Sequence, residues 1–241
     1  MSGLNIEKPS FEEIQNGRAH QRHLQSSSSS IDWVQQSKVT PVRNQGGCGS
    51  CWAFASSAAM ESAYLIDGVE TSLSTHVSEQ QQVDCVYDRS GCSGGFMTKS
   101  FSRAISHGFK PGNRYPYVGY YQGCRKGKDK GGYKLSSYRY LYLPTCDTVK
   151  AELQRQPLSV TVDASNWNLI TDDIFPYEAT TWGDLNHAVL LTGYQENAGY
   201  PYWVIKNSWG PYWGDRGYAK LAYGPDGNNC GICMAVVYPT V

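Results

Sequence analysis

The sequence predicts an α+β protein in two parts, a mostly helical half followed by a mostly β half. Three observations lead there. The chain has 241 residues, 40% of them hydrophobic, enough for one sizeable core or two small ones. From Trp33 to about Leu135 it is rich in Gly, Ser and Cys and holds one clear helical run, "SCWAFASSAAMESAYLIDG". After Leu135 the pattern changes to β-branched and aromatic runs bounded by turn residues.

Taken in order, residues 26 to 30 are five serines, which bury no apolar surface and whose hydroxyls compete with regular backbone pairing. They read as an exposed linker after a polar lead. The helical run begins after Ser50, a residue type suited to an N-cap, and stops at Gly68. "RKGKDKGGYK", residues 125 to 134, reads as a solvated loop between the halves. Strands are expected in "PLSVTVDA", "HAVLLTGYQ", "PYWVIKNSW", "GYAKLAYG" and "AVVYP", with a turn at "ENAG" joining the second to the third.

Lys plus Arg equals Asp plus Glu at 21 each, so no net positive field favours nucleic acid or an anionic membrane. Apolar runs such as "AVLLTGY" fall far short of the roughly 20 residues of a membrane span, and no apolar segment follows Met1. Eight cysteines nonetheless favour an oxidising compartment. The two observations are compatible if the chain begins inside a longer precursor.

"RNQGGCGSCWAF" places Cys48 and Cys51 three apart among glycines. A zinc site would need Cys230 and Cys233 as further ligands, yet Cys51 runs straight into a strong helix where a zinc knuckle would turn. A redox pair would need a βαβ context, which the Pro-broken "KVTPVRNQGG" does not supply. A nucleophile fits better. At the first position of a helix, unpaired N–H groups and the helix dipole stabilise a thiolate. It also needs a base held in one tautomer. Of the five histidines, only His187 opens a buried-looking strand. If Gln195 faces Tyr200 across the turn, His187 lies opposite Ser208 and beside Asn207, a bulge shifting this by one. Asn207 then accepts the imidazole N–H and turns the other nitrogen to the thiol. Trp203 and Trp209 are explained as core, and Trp209 also as a screen over the Asn–His bond.

"QGGCGSCWAF", "LNHAV" and "VIKNSWGPYWGDRGY" resemble the papain family of cysteine proteases, its cathepsin L-like members above all, and the likeness spans nearly all the chain. The resemblance implies a two-domain fold with a helical left domain (about 36–135), a β-barrel right domain (about 136–235) and the active site in the cleft between them. It implies Cys51 as nucleophile, His187 as base, Asn207 as orienter and Gln45 as oxyanion-hole donor beside the Cys51 amide. Gly49, Gly94 and Gly95 would border the bound peptide, and Phe96, Met97, Ala188 and Ala235 would line an apolar S2 pocket. Trp209 and Trp213 match an aromatic pair near the primed side. Cys48 would pair with Cys92, and Cys85 with Cys124. The chain departs from the family where a third bridge would join Cys230 to a cysteine near Thr180, since "FPYEATTWGDLNHA" has none, so Cys146, Cys230 and Cys233 stay unassigned.

By the same resemblance "SFEEIQNGRAHQRH" is the end of an inhibitory propeptide. Residues 1–30 would be a propeptide remnant and Ser-rich linker, and 31–241 the peptidase domain. The alternative is a Ser-rich tail on a cytosolic protein, which the lack of an N-x-[ST] sequon favours. The implied partners are a peptide or protein substrate, the chain's own propeptide and cystatin-like inhibitors, with no nucleic acid, membrane, metal or cofactor. The implied state is a monomer, lysosomal or secreted. The competing reading is a catalytically silent relative acting as a binding or structural protein.

Overall fold

This computed structural model describes residues 29–87, 91–125, 131–197 and 199–241. The expected propeptide remnant lies almost wholly outside them. The order is β1 (Ser30–Asp32), α1 (Cys51–Ile66), α2 (Glu79–Cys85), α3 (Met97–Ser106), β2 (Ser137–Tyr142), α4 (Cys146–Leu153), β3 (Leu158–Val162), β4 (Ile174–Phe175), β5 (His187–Gln195), β6 (Tyr202–Lys206), β7 (Tyr218–Ala222) and β8 (Ala235–Thr240). Three helices thus fall in the first half and seven of the eight strands in the second, the expected division. The strands make one sheet in the order β2-β8-β3-β5-β6-β7-β4, with β1 added alongside the end of β5.

The first half holds more helix than the one run that was expected. α2 is "EQQQVDC", mostly polar yet buried from Glu79 to Asp84, because its amides and carboxylates find partners inside. Gln80 and Gln81 bond to neighbouring loops, and Gln82 reaches Ser57. α3 does carry an apolar face, with Met97, Phe101 and Ala104 buried. In the second half, α4 starts from Thr145, whose hydroxyl accepts the Thr148 N–H, a side-chain N-cap.

α1 runs through the centre. Fifteen residues from Cys51 to Leu65 are buried, so the helix has no solvent face and behaves as core on every side. Its residues are small where neighbours come close: Ala55 offers its carbonyl to Ser159 of β3 at 3.0 Å. Ser50 does occupy the N-cap position, but its side chain makes no capping bond. Its hydroxyl instead pairs with the Tyr117 hydroxyl at 2.8 Å.

β5 and β6 form the expected hairpin in a different register. Gln195 faces Tyr202 rather than Tyr200, and a bulge between Leu191 and Gly193 then brings Leu190 opposite Lys206. The turn is two residues longer than the "ENAG" reading allowed.

Three disulfides are closed among the described residues: Cys48–Cys92, Cys85–Cys124 and Cys146–Cys233. These bonds use two of the four sulfurs of the zinc reading, which falls with them. Cys230 remains a thiol, wholly buried, and burial pushes it up to about 12. Thr180 stands where the resemblance wants a bridging cysteine, and its hydroxyl donates to Asp163 at 2.9 Å.

Candidate active site

Cys51 is the first residue of α1 and lies outside the disulfides. The turn before it is pinned by the Cys48–Cys92 bond and by the Gly49 N–H donating to the Cys92 carbonyl at 2.9 Å. The thiol therefore sits at a helix N-terminus, where the free backbone N–H groups favour negative charge.

His187 is the first residue of β5. Phe54, Ala55 and Ala58 of α1 and Ala188, Val189 and Leu190 of β5 line one cavity of about 20 Å³. The two elements therefore pack side by side, with Cys51 and His187 at the same end. His187 Nε2 lies 2.7 Å from Asn207 Oδ1. That Asn207 atom also accepts the Ser208 N–H at 2.8 Å, so it is the carbonyl oxygen and the ring proton is on Nε2. Nδ1, buried and with no hydrogen-bond partner among the described residues, is left as the basic nitrogen. Continuing the β5–β6 register brings Trp209 level with His187, and Asn207, two residues back, onto the same face. The rings agree: Trp209 lies against the imidazole at 4.8 Å, with Trp167 edge-on at 5.9 Å. Burial pushes the imidazolium down to about 4, the Asn207 bond working the other way.

Gln45 is held by a short antiparallel pairing of residues 43–45 with 208–210. Its N–H donates to the Ser208 carbonyl at 2.8 Å, and Gly210 N–H to the Arg43 carbonyl. The Ser208 hydroxyl donates to Gln45 Oε1 at 2.6 Å, and Gln45 Nε2 donates to the Cys48 carbonyl at 3.0 Å. The amide thus points its nitrogen toward the Cys48–Cys51 turn with one hydrogen to spare. Tyr117 ties the same parts from outside, donating to the Gln45 carbonyl at 2.8 Å while paired with Ser50.

Two charged side chains lie beside the site, Arg43 from the first half and Lys206 from the second. Arg43 Nη1 lies 2.8 Å from Glu61 and 2.6 Å from Glu79. Lys206, next to Asn207, donates to Thr40 Oγ1 at 3.1 Å, and burial lowers its ammonium to about 8, with Glu61 opposing.

The expected pocket residues come from both halves. Gly94 has φ +113°, and a Cβ on Gly95 would lie 2.6 Å from the Trp52 ring, so only glycine lets this segment pass so near the core. Phe96 precedes α3, its N–H donating to the Tyr87 hydroxyl, and Met97 opens that helix. Ala188 and Ala235 fall in one cross-strand row with Thr161 between them, on β5, β3 and β8; their side chains share a face. Phe96 and Met97, at the start of α3, stand outside that row. Gly49 is buried in the turn before the nucleophile.

Sequence reasoning missed Ser208, Thr161, Trp167 and Tyr117. Ser208 was within reach, since it follows Asn207 and alternates with it across the strand. Thr161 needed the strand order, and Trp167 and Tyr117 carry no pattern at all.

The model of the papain family cysteine proteases matches residues 27–240. The chain belongs to the papain family of cysteine proteases. Among papain-family relatives it is 38% identical over 215 residues to a cathepsin L-like proteinase of Fasciola hepatica, covering 88% of this chain and 65% of that protein. It is 37% identical to mouse cathepsin K, covering 87% and 64%. The chain thus spans just under two thirds of the length of these relatives. Its papain-like fold is shared with the digestive procathepsin L 3 of Tenebrio molitor larval midgut, at a TM-score of 0.80 and 33% identity over 90% of this chain and 71% of that one. The bromelain protease of Ananas comosus, solved in complex with the E64 inhibitor, superposes at 0.79 with 35% identity over 89% and 99%.

Proposed function

We propose that this chain is a cysteine endopeptidase that hydrolyses peptide bonds through Cys51, His187 and Asn207. The observation that carries the reading is the His187–Asn207 bond, which leaves a basic Nδ1 at the end of the packed pair where α1 begins with Cys51.

In this mechanism the Cys51 thiol gives its proton to His187 Nδ1, and the thiolate attacks the peptide carbonyl carbon. The resulting oxyanion takes hydrogen bonds from the Cys51 amide and the spare Gln45 Nε2 hydrogen, a type of donor worth about 3 kcal/mol in the transition state. Collapse breaks the C–N bond as the imidazolium protonates the leaving amine, giving a thioester. His187 then takes a proton from water as the water attacks, and the acid leaves as Cys51 recovers its proton. The desolvation that holds a lone imidazolium down is offset once a thiolate stands beside it.

The row of Ala188, Thr161 and Ala235 carries no charge, which supports a preference for bulky apolar residues at P2 on a wall completed by Phe96 and Met97. A peptide or protein substrate, the chain's own propeptide and cystatin-like inhibitors are the partners that go with this reading. A lysosomal or secreted compartment agrees with the three disulfides, and a monomer is the state that goes with this reading.

The test is stoichiometry. A thiol-directed inhibitor should label the folded chain once, at Cys51, because Cys230 is buried and its thiol holds its proton, and activity should fall in step with labelling. Full labelling of Cys51 in a chain that never cleaves peptides would favour the silent relative.

A further inference from the structure

The Tyr117 hydroxyl reaches both stretches of backbone that carry the donors of the proposed oxyanion site. It donates to the Gln45 carbonyl at 2.8 Å and lies 2.8 Å from the Ser50 hydroxyl. A phenol has one hydrogen, and the Gln45 bond uses it. The Ser50 hydroxyl is therefore the donor in the second contact. The order runs from the Ser50 O–H to the Tyr117 O–H to the Gln45 carbonyl, each bond polarising the next. Burial pushes the phenol up to about 12, Glu79 adding to it and the Ser50 bond opposing, so Tyr117 keeps the proton that this run of bonds needs.

The two ends of the run differ. Gln45 has its N–H on the Ser208 carbonyl, its side-chain oxygen on the Ser208 hydroxyl and its side-chain nitrogen on the Cys48 carbonyl. The Tyr117 bond fixes its remaining polar group, the main-chain carbonyl. Ser50 shares a peptide plane with the Cys51 N–H. A tether on its side chain, with its own N–H on the Cys48 carbonyl at 2.8 Å, steadies that plane.

Tyr117 is itself held from two sides. Its ring packs edge-on against Phe54, in the first turn of α1, at 4.9 Å. Its loop is held by α2: Gln80 Oε1 accepts the Val118 and Gly119 N–H groups, and Gln80 Nε2 donates to the Tyr120 carbonyl. Asp84 accepts the Gln122 N–H and the Tyr115 hydroxyl. The N–H groups of an irregular loop need partners from elsewhere, and the buried polar side chains of α2 supply them.

We infer that Tyr117 is a positioning residue, setting the Gln45 side-chain amide and the Cys51 N–H relative to each other. The inference rests on the peptidase reading above and adds to it a residue that acts through Gln45 and Ser50. Its effect falls on the transition state, because the spacing of the two donors counts most once the carbonyl oxygen carries charge.

The test compares the parent with Tyr117→Phe, which keeps the ring against Phe54 and removes the hydroxyl, and with Tyr120→Phe, the same change at an exposed tyrosine of the same loop. On a fluorogenic peptide, Tyr117→Phe should lower kcat by about tenfold and leave KM within about twofold. Tyr120→Phe should leave both within about twofold. Affinity for a peptide aldehyde, whose carbonyl carbon takes the Cys51 sulfur and whose oxygen then faces the same donors, should fall about as far as kcat/KM. Alkylation by iodoacetamide forms no oxyanion, so its rate should stay within about twofold. Both thiol reactions are normalised to titratable Cys51, so that a loss of folded material does not mimic the result. Ser50→Ala/Tyr117→Phe should be no worse than Tyr117→Phe alone, since the Ser50 hydroxyl acts through the phenol. An unchanged kcat in Tyr117→Phe, or alkylation slowed as much as hydrolysis, would overturn the inference while the peptidase reading stands. A parent that is alkylated at Cys51 and cleaves no peptide would overturn that reading and the inference with it.

Discussion

The Ser208 hydroxyl donates to Gln45 Oε1 across 2.6 Å, so the residue after Asn207 sets the direction of the amide that the proposed mechanism assigns to the oxyanion. Ser208→Ala removes that restraint while leaving the amide in place. It should lower kcat by about tenfold with little change in KM, against the hundredfold or more expected of Gln45→Ala. The double variant should be no worse than Gln45→Ala alone, because Ser208 acts through Gln45. Multiplying effects would show an independent role.

The imidazole of His187 has two opposing influences, burial and the thiolate, and removing Cys51 separates them. In Cys51→Ala the ring should titrate near the depressed value of about 4, and in the parent enzyme the imidazolium should persist past neutral pH. Histidine NMR reads both. The depression also couples to stability in the variant: between pH 6.5 and 4 the unfolded chain binds the proton and the native chain does not. Stability therefore falls as the pH falls through that window, by up to about 3 kcal/mol. An unshifted ring near 6.5 in Cys51→Ala would show that burial is not the cause.

Lys206 gives the mirror case at high pH. Its native ammonium is lowered to about 8 from 10.5, so between those values the unfolded chain holds more protons and stability rises with pH. Between pH 7 and 9.5 the parent should gain roughly 2 kcal/mol relative to Lys206→Met in urea unfolding. A difference that does not vary with pH would place the lysine's proton loss elsewhere.

Specificity should turn on the Ala188, Thr161 and Ala235 row. Burying Leu or Phe at P2 gains roughly 1.5–3 kcal/mol, while Arg there loses hydration with no counter-charge. Fluorogenic Phe-Arg substrates should be turned over at least about tenfold faster than Arg-Arg ones. Ala235→Glu should narrow that ratio by admitting Arg. Equal kcat/KM on both substrates in the parent would remove the apolar pocket.

Cys51, His187 and Asn207, the proposed nucleophile, base and orienter, stood out in the sequence because those roles demand unusual residues at the ends of regular elements: a cysteine opening a helix, a histidine opening a strand. The hairpin was legible as a hairpin, yet its register was misjudged by two residues at the loop and by one at His187, where the bulge that was allowed for takes one residue back, since a loop's length is set by its own backbone. α2 was invisible for a different reason. Its glutamines are satisfied by loops and neighbouring helices inside the protein, so a buried element wears the composition of a surface one. Lys206 likewise looks like a surface lysine in "VIKNSW" and is buried only because α1 and the 38–45 segment close over it. The pairing of Cys146 with Cys233 follows from where α4 begins, which no spacing in the chain discloses.

α1 has no face turned to water, and both halves of the molecule rest on it. Its amide hydrogens can then reach solvent only when the halves part, which places their exchange among the slowest in the protein, at the free energy of complete unfolding. The thiol at its head shares that fate. Loss of activity on heating or storage should therefore track the rate at which whole molecules unfold, with no faster fraying of α1 ahead of it.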